Sequence, residues 1–263
     1  MTAPTQDPNA RASNDDWDRH WSSYAEAASK NPAQTYRRKL VFGLLALESA
    51  PRPVRLLDLG SGQGDFARDV VTGHPDVEIV GLDLSEAGGA IASRKVPGGR
   101  FFQRDLMQPF QLPDELRGWA THAVCSEVLE HVDEPSALLR HVRPFLAPGC
   151  RIVITVPGGP MSKFDHHIGH RRHFTAPLLE EVIRGAGLEV DLIRGAGFPF
   201  FNLYRLAVVA RGDALIKDID GADSRPLPIA ARAAMRAFDW LFRWNQSDTL
   251  RGWQLVARAI HAP

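Results

Sequence analysis

Two stretches of this chain bring together residue types that can do proton, cation or anion chemistry. In Cys125-Ser126-Glu127-Val128-Leu129-Glu130-His131-Val132, the residues Glu127, Glu130 and His131 stand at i, i+3 and i+4, a spacing that a helix turns into one face. Two carboxylates there suit a hard divalent cation such as Mg²⁺, and the imidazole also suits Zn²⁺. The second stretch, Asp165 to Thr175, packs His166, His167, His170 and His173 together with Arg171 and Arg172. Imidazole titrates near working pH and serves as a general base toward a hydroxyl. His167 or His170 is the expected base, with His166 next. Guanidinium groups clamp a phosphate or carboxylate, the role expected of Arg171 and Arg172 toward an acceptor. One of these histidines could instead complete a cation shell with Glu127, Glu130 and His131, and spacing alone does not decide between the two.

A third stretch says what such groups would act beside. Leu56-Leu57-Asp58-Leu59-Gly60-Ser61-Gly62-Gln63-Gly64, followed by Val80-Gly81-Leu82-Asp83, is an apolar strand running into a glycine-dense turn, then a second strand ending in a carboxylate. Open α/β sheets hold nucleoside cofactors in this way. Dinucleotide sites read G-x-G-x-x-G, whereas the run here is G-x-G-x-G with Asp58 two residues ahead of it. That spacing, with no evident hydride-acceptor site, tells against an NAD-dependent oxidoreductase.

These residues resemble the acidic-x-G-x-G-x-G turn of class I S-adenosylmethionine-dependent methyltransferases, the small-molecule and sugar enzymes among them, and the resemblance runs from about Arg55 to Ile193. It implies S-adenosylmethionine as cofactor. Gly60, Gly62 and Gly64 would wrap its methionine part beside Asp58 and Ser61, and Asp83, with Leu84 next to it, would accept from both ribose hydroxyls. Asp105 would bond the adenine amino group, Leu106 or Met107 would pack on the ring, and Glu127 would line the same pocket. Glu-x-x-Glu-His with a later His resembles ubiquinone O-methyltransferases and small-RNA 2′-O-methyltransferases. There the motif binds a metal that contacts acceptor hydroxyls, and His131 would meet the acceptor too. A Val-Leu-Glu-His sequence also occurs in relatives without metal, where Glu and His hold the loop. The segment around His170 resembles the Gly-His-x-Arg-x-aromatic-Thr stretch of bacterial methyltransferases linked to polysaccharide, glycolipid and secondary-metabolite pathways. His173 stands where a second Arg is common.

The function this implies is O-methylation of a sugar, a glycolipid precursor or another hydroxylated small molecule. The alternatives are metal-independent N- or C-methylation and an inactive cofactor-binding partner subunit. No Asn/Asp-Pro-Pro-aromatic motif follows the fourth strand, which disfavours methylation of adenine amino groups.

Positioning these groups requires alternating strands and helices. Strands are predicted near 54–59, 77–82, 100–104, 121–125 and 151–156, with helices near 65–73, 85–95 and 134–146. A helix from Thr175 ends at Gly185 and Gly187, and Leu188 to Ile193 reads as a sixth strand. A seventh, antiparallel strand has two candidates, Leu203 to Ala210 and Trp253 to Ile260. The second alternates polar and apolar residues and is preferred, slotted between the fifth and sixth. The expected fold is therefore a doubly wound, seven-stranded, mostly parallel Rossmann-like sheet. Residues 1–15 are expected to form a disordered tail and 16–50 a helical cap. The core would be 51–197 and 251–263, with a helical insertion over 198–250. In the cap, Trp17, Trp21 and Tyr24 mark one helix, and Asn31-Pro32 opens another with Tyr36, Leu40, Val41, Leu44 and Leu45 on one side.

With 263 residues and 31 basic against 31 acidic side chains, the chain can bury a large core and carries no global attraction to nucleic acid. No RNA-binding module is apparent, so the expected partner is a small-molecule, sugar or lipid-linked acceptor. Cys125 and Cys150 lie in apolar runs, as buried thiols of a reducing compartment do. No signal or spanning segment is expected, since neither apolar run of the insertion approaches about 18 uninterrupted residues. The expected location is cytoplasmic, with peripheral membrane contact open. The insertion could serve as a lid, a homodimer face or a membrane-skimming surface, or simply pack on the domain.

Overall fold

The computed structural model describes residues 31–212, 214–215 and 229–262. Its first element, α1 (Pro32–Leu45), is opened by the Asn31 side chain, which accepts from the Ala33 amide, and by Pro32 in the first turn. The expected tail and the Trp17–Tyr24 helix lie outside the described residues. Then follow β1 (Arg55–Leu59), α2 (Asp65–Gly73), β2 (Glu78–Asp83), α3 (Glu86–Lys95), β3 (Arg100–Gln103), β4 (Ala120–Ser126) and α4 (Pro135–Val142). The remainder is β5 (Leu146–Pro157), α5 (Lys163–His167), α6 (Ala176–Gly185), β6 (Glu189–Ala196), α7 (Phe200–Ala210), α8 (Ile229–Leu241) and β7 (Gln254–Ile260).

The seven strands form one sheet in the order β3-β2-β1-β4-β5-β7-β6. β7 runs antiparallel to both β5 and β6, and the other pairs are parallel. This is the expected doubly wound sheet, with the later of the two candidates as its seventh strand; Leu203 to Ala210 is helix instead. Helix α4 stops at Val142, earlier than predicted, because Pro144 forces a 3₁₀ turn over Arg143–Phe145 and removes a helical N–H.

Alternate side chains of each central strand enter opposite layers. Leu57, Leu59, Ala123, Cys125, Ile152 and Ile154 join one apolar cluster, while Leu56, Val124, Val153 and Val256 join the other. Both faces are thereby dry, as a largely parallel sheet requires. Cys125 and Cys150 are buried free thiols. On the second face Tyr36, Phe201, Tyr204, Phe238 and Phe242 pack together in tilted and edge-on contacts, joining α7 and α8 to α1. Leu203, Leu206, Trp240 and Trp244 of that region stay exposed. Among the described residues no helix is long and apolar enough to cross a membrane.

Candidate active site

Register places the ends of β1, β2, β4 and β5 side by side, so the loops that follow them converge at one edge, where open α/β sheets bind ligands. In the turn after β1, Gly60, Gly62 and Gly64 all adopt left-handed backbone, with φ of 70°, 50° and 74°. Two of them are also required by packing. A Cβ on Gly60 would lie 2.4 Å from Val128 Cγ2, and one on Gly64 2.7 Å from Ala92 Cβ. The Gly62 amide donates to Asp83 Oδ2 at 2.7 Å and the Ser85 amide to Oδ1 at 2.8 Å. Asp83 thus clamps the turn against the end of β2.

Asp58 lies beneath this turn, only 4% exposed. Among the described residues its Oδ2 has no hydrogen-bond partner. Burial, reinforced by the charge of Asp83, raises its carboxyl to about 7. Leu84 is 45% exposed at the same edge. Asp105 is exposed, with its Oδ1 accepting from the Met107 amide, while Leu106 is buried.

The loop after β4 departs from the helical face predicted for it. Glu127 takes a left-handed φ of 57°, and only a 3₁₀ turn, Leu129–His131, follows. The Glu127 side chain turns away from Glu130. Its Oε1 accepts from Thr155 Oγ1 at 3.1 Å and from Gln254 Nε2 at 2.9 Å, and its Oε2 lies 3.0 Å from Arg37 Nε. As a member of the expected cation set, Glu127 is corrected: an ion pair to α1 and an amide from β7 already hold it. Glu130 is the opposite case, with 0% exposure and, among the described residues, no hydrogen-bond partner for either carboxylate oxygen. Burial, then the nearby Glu127, pushes its carboxyl well above the usual range. Its Oε1 faces His131 Nε2 at 4.0 Å and His170 Nε2 at 3.9 Å. Among the described residues two groups could hold a cation, Glu130–His131–His170 and Asp165–His170–His173, and in the second both Asp165 oxygens are already engaged by Arg205.

The histidine segment divides. His166 and His167 are exposed on α5, whereas His170 is buried. Burial, with His131 adding to it, drives His170 down to about 2, so its ring stays an uncharged imidazole at working pH. Arg171 pairs with the Asp133 carboxylate, and its amide donates to the Glu130 carbonyl at 2.8 Å. Arg172 donates to the Asp133 carbonyl at 2.8 Å. Both arginines thus tie this segment to the Glu130 loop, which corrects their expected role as an open anion clamp.

Asp165 anchors the segment. Ser162 and Asp165 cap α5 reciprocally, and Arg205 of α7 reaches both Asp165 oxygens at 2.9 Å. Burial opposes its charge, but Arg205 and the Ser162 hydrogen bonds prevail and hold the carboxyl below its ordinary value. Arg37, Gln254 and Arg205 escape a sequence reading because nothing local marks them. Asp165 does carry a signal, the Ser-x-x-Asp capping pattern.

A model of the methyltransferase domain matches residues 33–193, more than half the chain. The chain belongs to that family. Its fold is that of class I S-adenosylmethionine-dependent methyltransferases. The chain is 33% identical over 116 residues to a trans-aconitate 2-methyltransferase of Methylobacterium nodulans, a match covering 43% of this chain and 42% of the relative. It thus spans less than half the length of that relative. It is 26% identical over 170 residues to a ubiquinone biosynthesis O-methyltransferase of Pseudomonas aeruginosa, covering 58% of this chain and 72% of the relative. Among solved structures, a geranyl diphosphate C-methyltransferase from Streptomyces coelicolor, in complex with Mg²⁺, a substrate analogue and S-adenosylhomocysteine, superposes with a TM-score of 0.56. That superposition has 16% identity and covers 86% of this chain and 76% of the other. The [4+2]-cyclase SpnF superposes with a TM-score of 0.58 at 21% identity, covering 88% of this chain and 82% of the other. At these identities the superpositions speak for the fold alone.

Proposed function

We propose that this chain transfers the methyl group of S-adenosylmethionine to a hydroxyl of a small acceptor such as a sugar, a glycolipid precursor or another hydroxylated metabolite, with a divalent cation held by Glu130, His131 and His170. The observation that carries the reading is Glu130, a carboxylate at the ligand-binding edge with no hydrogen bond to either oxygen among the described residues and two imidazoles facing it. A buried charge left in that state is costly unless a cation takes it up. The ubiquinone relative is an O-methyltransferase, which agrees with this reading.

The cofactor fits the glycine turn for similar reasons. The turn leaves no room for side chains at Gly60 and Gly64, and the partnerless Asp58 oxygen suits a positively charged ligand. In this reading Asp83 grips the ribose, and Leu84 and Leu106 pack on the base beside Asp105. The Arg37–Glu127–Gln254 network walls off the methionine end.

The donor set revises the expected ion. With Glu127 engaged elsewhere, one carboxylate and two imidazoles remain, which suits Zn²⁺, Mn²⁺ or Co²⁺ better than Mg²⁺. When bound, such a cation supplies the Lewis acidity that lets a hydroxyl lose its proton near neutral pH. His170 then serves as a ligand, and the exposed His166 and His167 carry the proton to solvent. Sheet loops and the Arg205-anchored segment align the acceptor oxygen for in-line attack on the methyl group.

Calorimetry with S-adenosylhomocysteine and Mn²⁺ tests this. The wild type should bind both. Glu130→Gln should bind S-adenosylhomocysteine normally and lose roughly 10-fold or more in Mn²⁺ affinity. Binding of NADH in place of S-adenosylhomocysteine, or unchanged Mn²⁺ binding by the variant, overturns the proposal.

A further inference from the structure

Which ring nitrogen of His170 carries its proton decides whether that ring can serve the site, because a protonated nitrogen has no lone pair to offer. Hydrogen bonding sets the answer from outside the site. His173 Nδ1 lies 3.0 Å from the Gly159 carbonyl oxygen, and a carbonyl only accepts, so this nitrogen is the donor. With Nδ1 donating, the Nε2 of the neutral His173 ring is an acceptor. That atom lies 3.3 Å from His170 Nδ1, and the shared proton must therefore sit on His170 Nδ1. A neutral imidazole protonated on Nδ1 has a bare Nε2, and Nε2 is the atom of His170 that faces Glu130 Oε1 at 3.9 Å.

Two further features hold this arrangement. Asp165 places its oxygens 3.9 Å from His170 Nδ1 and 3.8 Å from His173 Nε2, and its negative charge, secured by Arg205, favours a proton between the two rings. The Gly159 carbonyl is fixed by a left-handed turn (φ 72°) packed so closely on Trp253 that a Cβ would lie 2.6 Å from the indole.

We propose that His173 is a positioning residue: with Asp165 and the Gly159 carbonyl it holds the His170 proton on Nδ1, turning the Nε2 lone pair toward a divalent cation shared with Glu130 and His131. This rests on the cation reading above. Metal-ligating histidines commonly donate their other N–H to an outer partner, which fixes the tautomer. Here that partner is a second imidazole. An arginine at position 173 has only donors to offer, so it would make His170 Nδ1 an acceptor and move the proton to Nε2. Histidine at 173 and a ligand role for His170 therefore belong together.

The test reads the tautomer and the ion separately. Long-range ¹H–¹⁵N correlation spectra of the metal-free full chain report which nitrogen of each imidazole is protonated, with His170→Gln assigning the His170 signals. Co²⁺ titration followed by visible absorption reports the site. The wild type should show His170 protonated on Nδ1 and bind Co²⁺ with a stable ligand-field spectrum. His173→Gln, whose amide can both donate to Gly159 and accept from His170, should keep both properties. His173→Phe and His173→Arg should shift the proton to Nε2 and weaken Co²⁺ binding about 10- to 100-fold, with a thermal melt confirming that each variant folds. A wild-type His170 protonated on Nε2, or a His173→Phe protein with unchanged tautomer and Co²⁺ affinity, overturns the positioning role. Nδ1 protonation in a wild type that binds no Co²⁺ supports the tautomer assignment and overturns the cation reading instead.

Discussion

Asp58 offers a measurable link between the cofactor pocket and folding. Its carboxyl rises from 3.8 to about 7 in the folded chain because it is buried beside Asp83. Between pH 4 and 7 the folded protein therefore holds a proton that the unfolded chain has lost. Stability must fall as pH rises through that window and level off above it. At 1.36 kcal/mol per unit, the full penalty is about 4 kcal/mol, of which about 3 kcal/mol develops between pH 5 and 8. Asp58→Asn removes the titrating charge and should abolish this slope. Its melting temperature should gain about 6 °C or more on the wild type between those two pH values, taking about 2 °C per kcal/mol for a chain of this size. Thermal melts at half-unit pH steps, without ligand, are the assay. A ligand carrying sulfonium and ammonium charges prefers the ionised carboxylate, so S-adenosylmethionine should bind up to about tenfold more tightly per pH unit up to 7, with proton release in calorimetry. Parallel wild-type and Asp58→Asn stability profiles from pH 5 to 8 would refute the reasoning.

Gly64→Ala forces a side chain into left-handed backbone and against the Ala92 backbone, whose Cα lies 2.8 Å from the new Cβ. It should cost about 3 kcal/mol in urea unfolding and remove S-adenosylhomocysteine binding. Arg205→Leu leaves the buried Asp165 charge unpaired and should destabilise by about 3–5 kcal/mol, while Arg205→Lys recovers part of that loss in the same titration. Trp244, 66% exposed, should be replaceable by Ser with less than about 0.5 kcal/mol change in unfolding free energy.

The sheet is legible in the sequence because its signals are local. Apolar runs, glycine turns and helix caps each act within a few residues, and even the antiparallel seventh strand declares itself by alternation. The side-chain networks are another matter. Arg37 meets a residue 217 positions away, and Gln254 meets Glu127 across 127, pairings that only the completed topology creates. Glu127 is misjudged for a specific reason: the helical spacing of Glu127, Glu130 and His131 presumes a helix, and a left-handed residue after β4 breaks it. Residue type singles out Glu130, His131 and His170 as candidates, but spacing does not join His170 to the other two, and the division of the histidines into exposed His166 and His167 and covered His170 and His173 depends on where α5 ends. The proton arrangement between His170 and His173 follows from a carbonyl whose position no motif encodes.

The placement of β7 between β5 and β6 has a consequence for biogenesis. A nascent chain that has already paired β1, β2, β4 and β5 still presents two open strand edges until residues 254–260 emerge and fill the gap. Such long-range closure slows folding and leaves aggregation-prone edges exposed to chaperones in the meantime. Gln254 travels with that strand and supplies the amide that locks Glu127. β7 thus closes the sheet and completes the Glu127 network in one step.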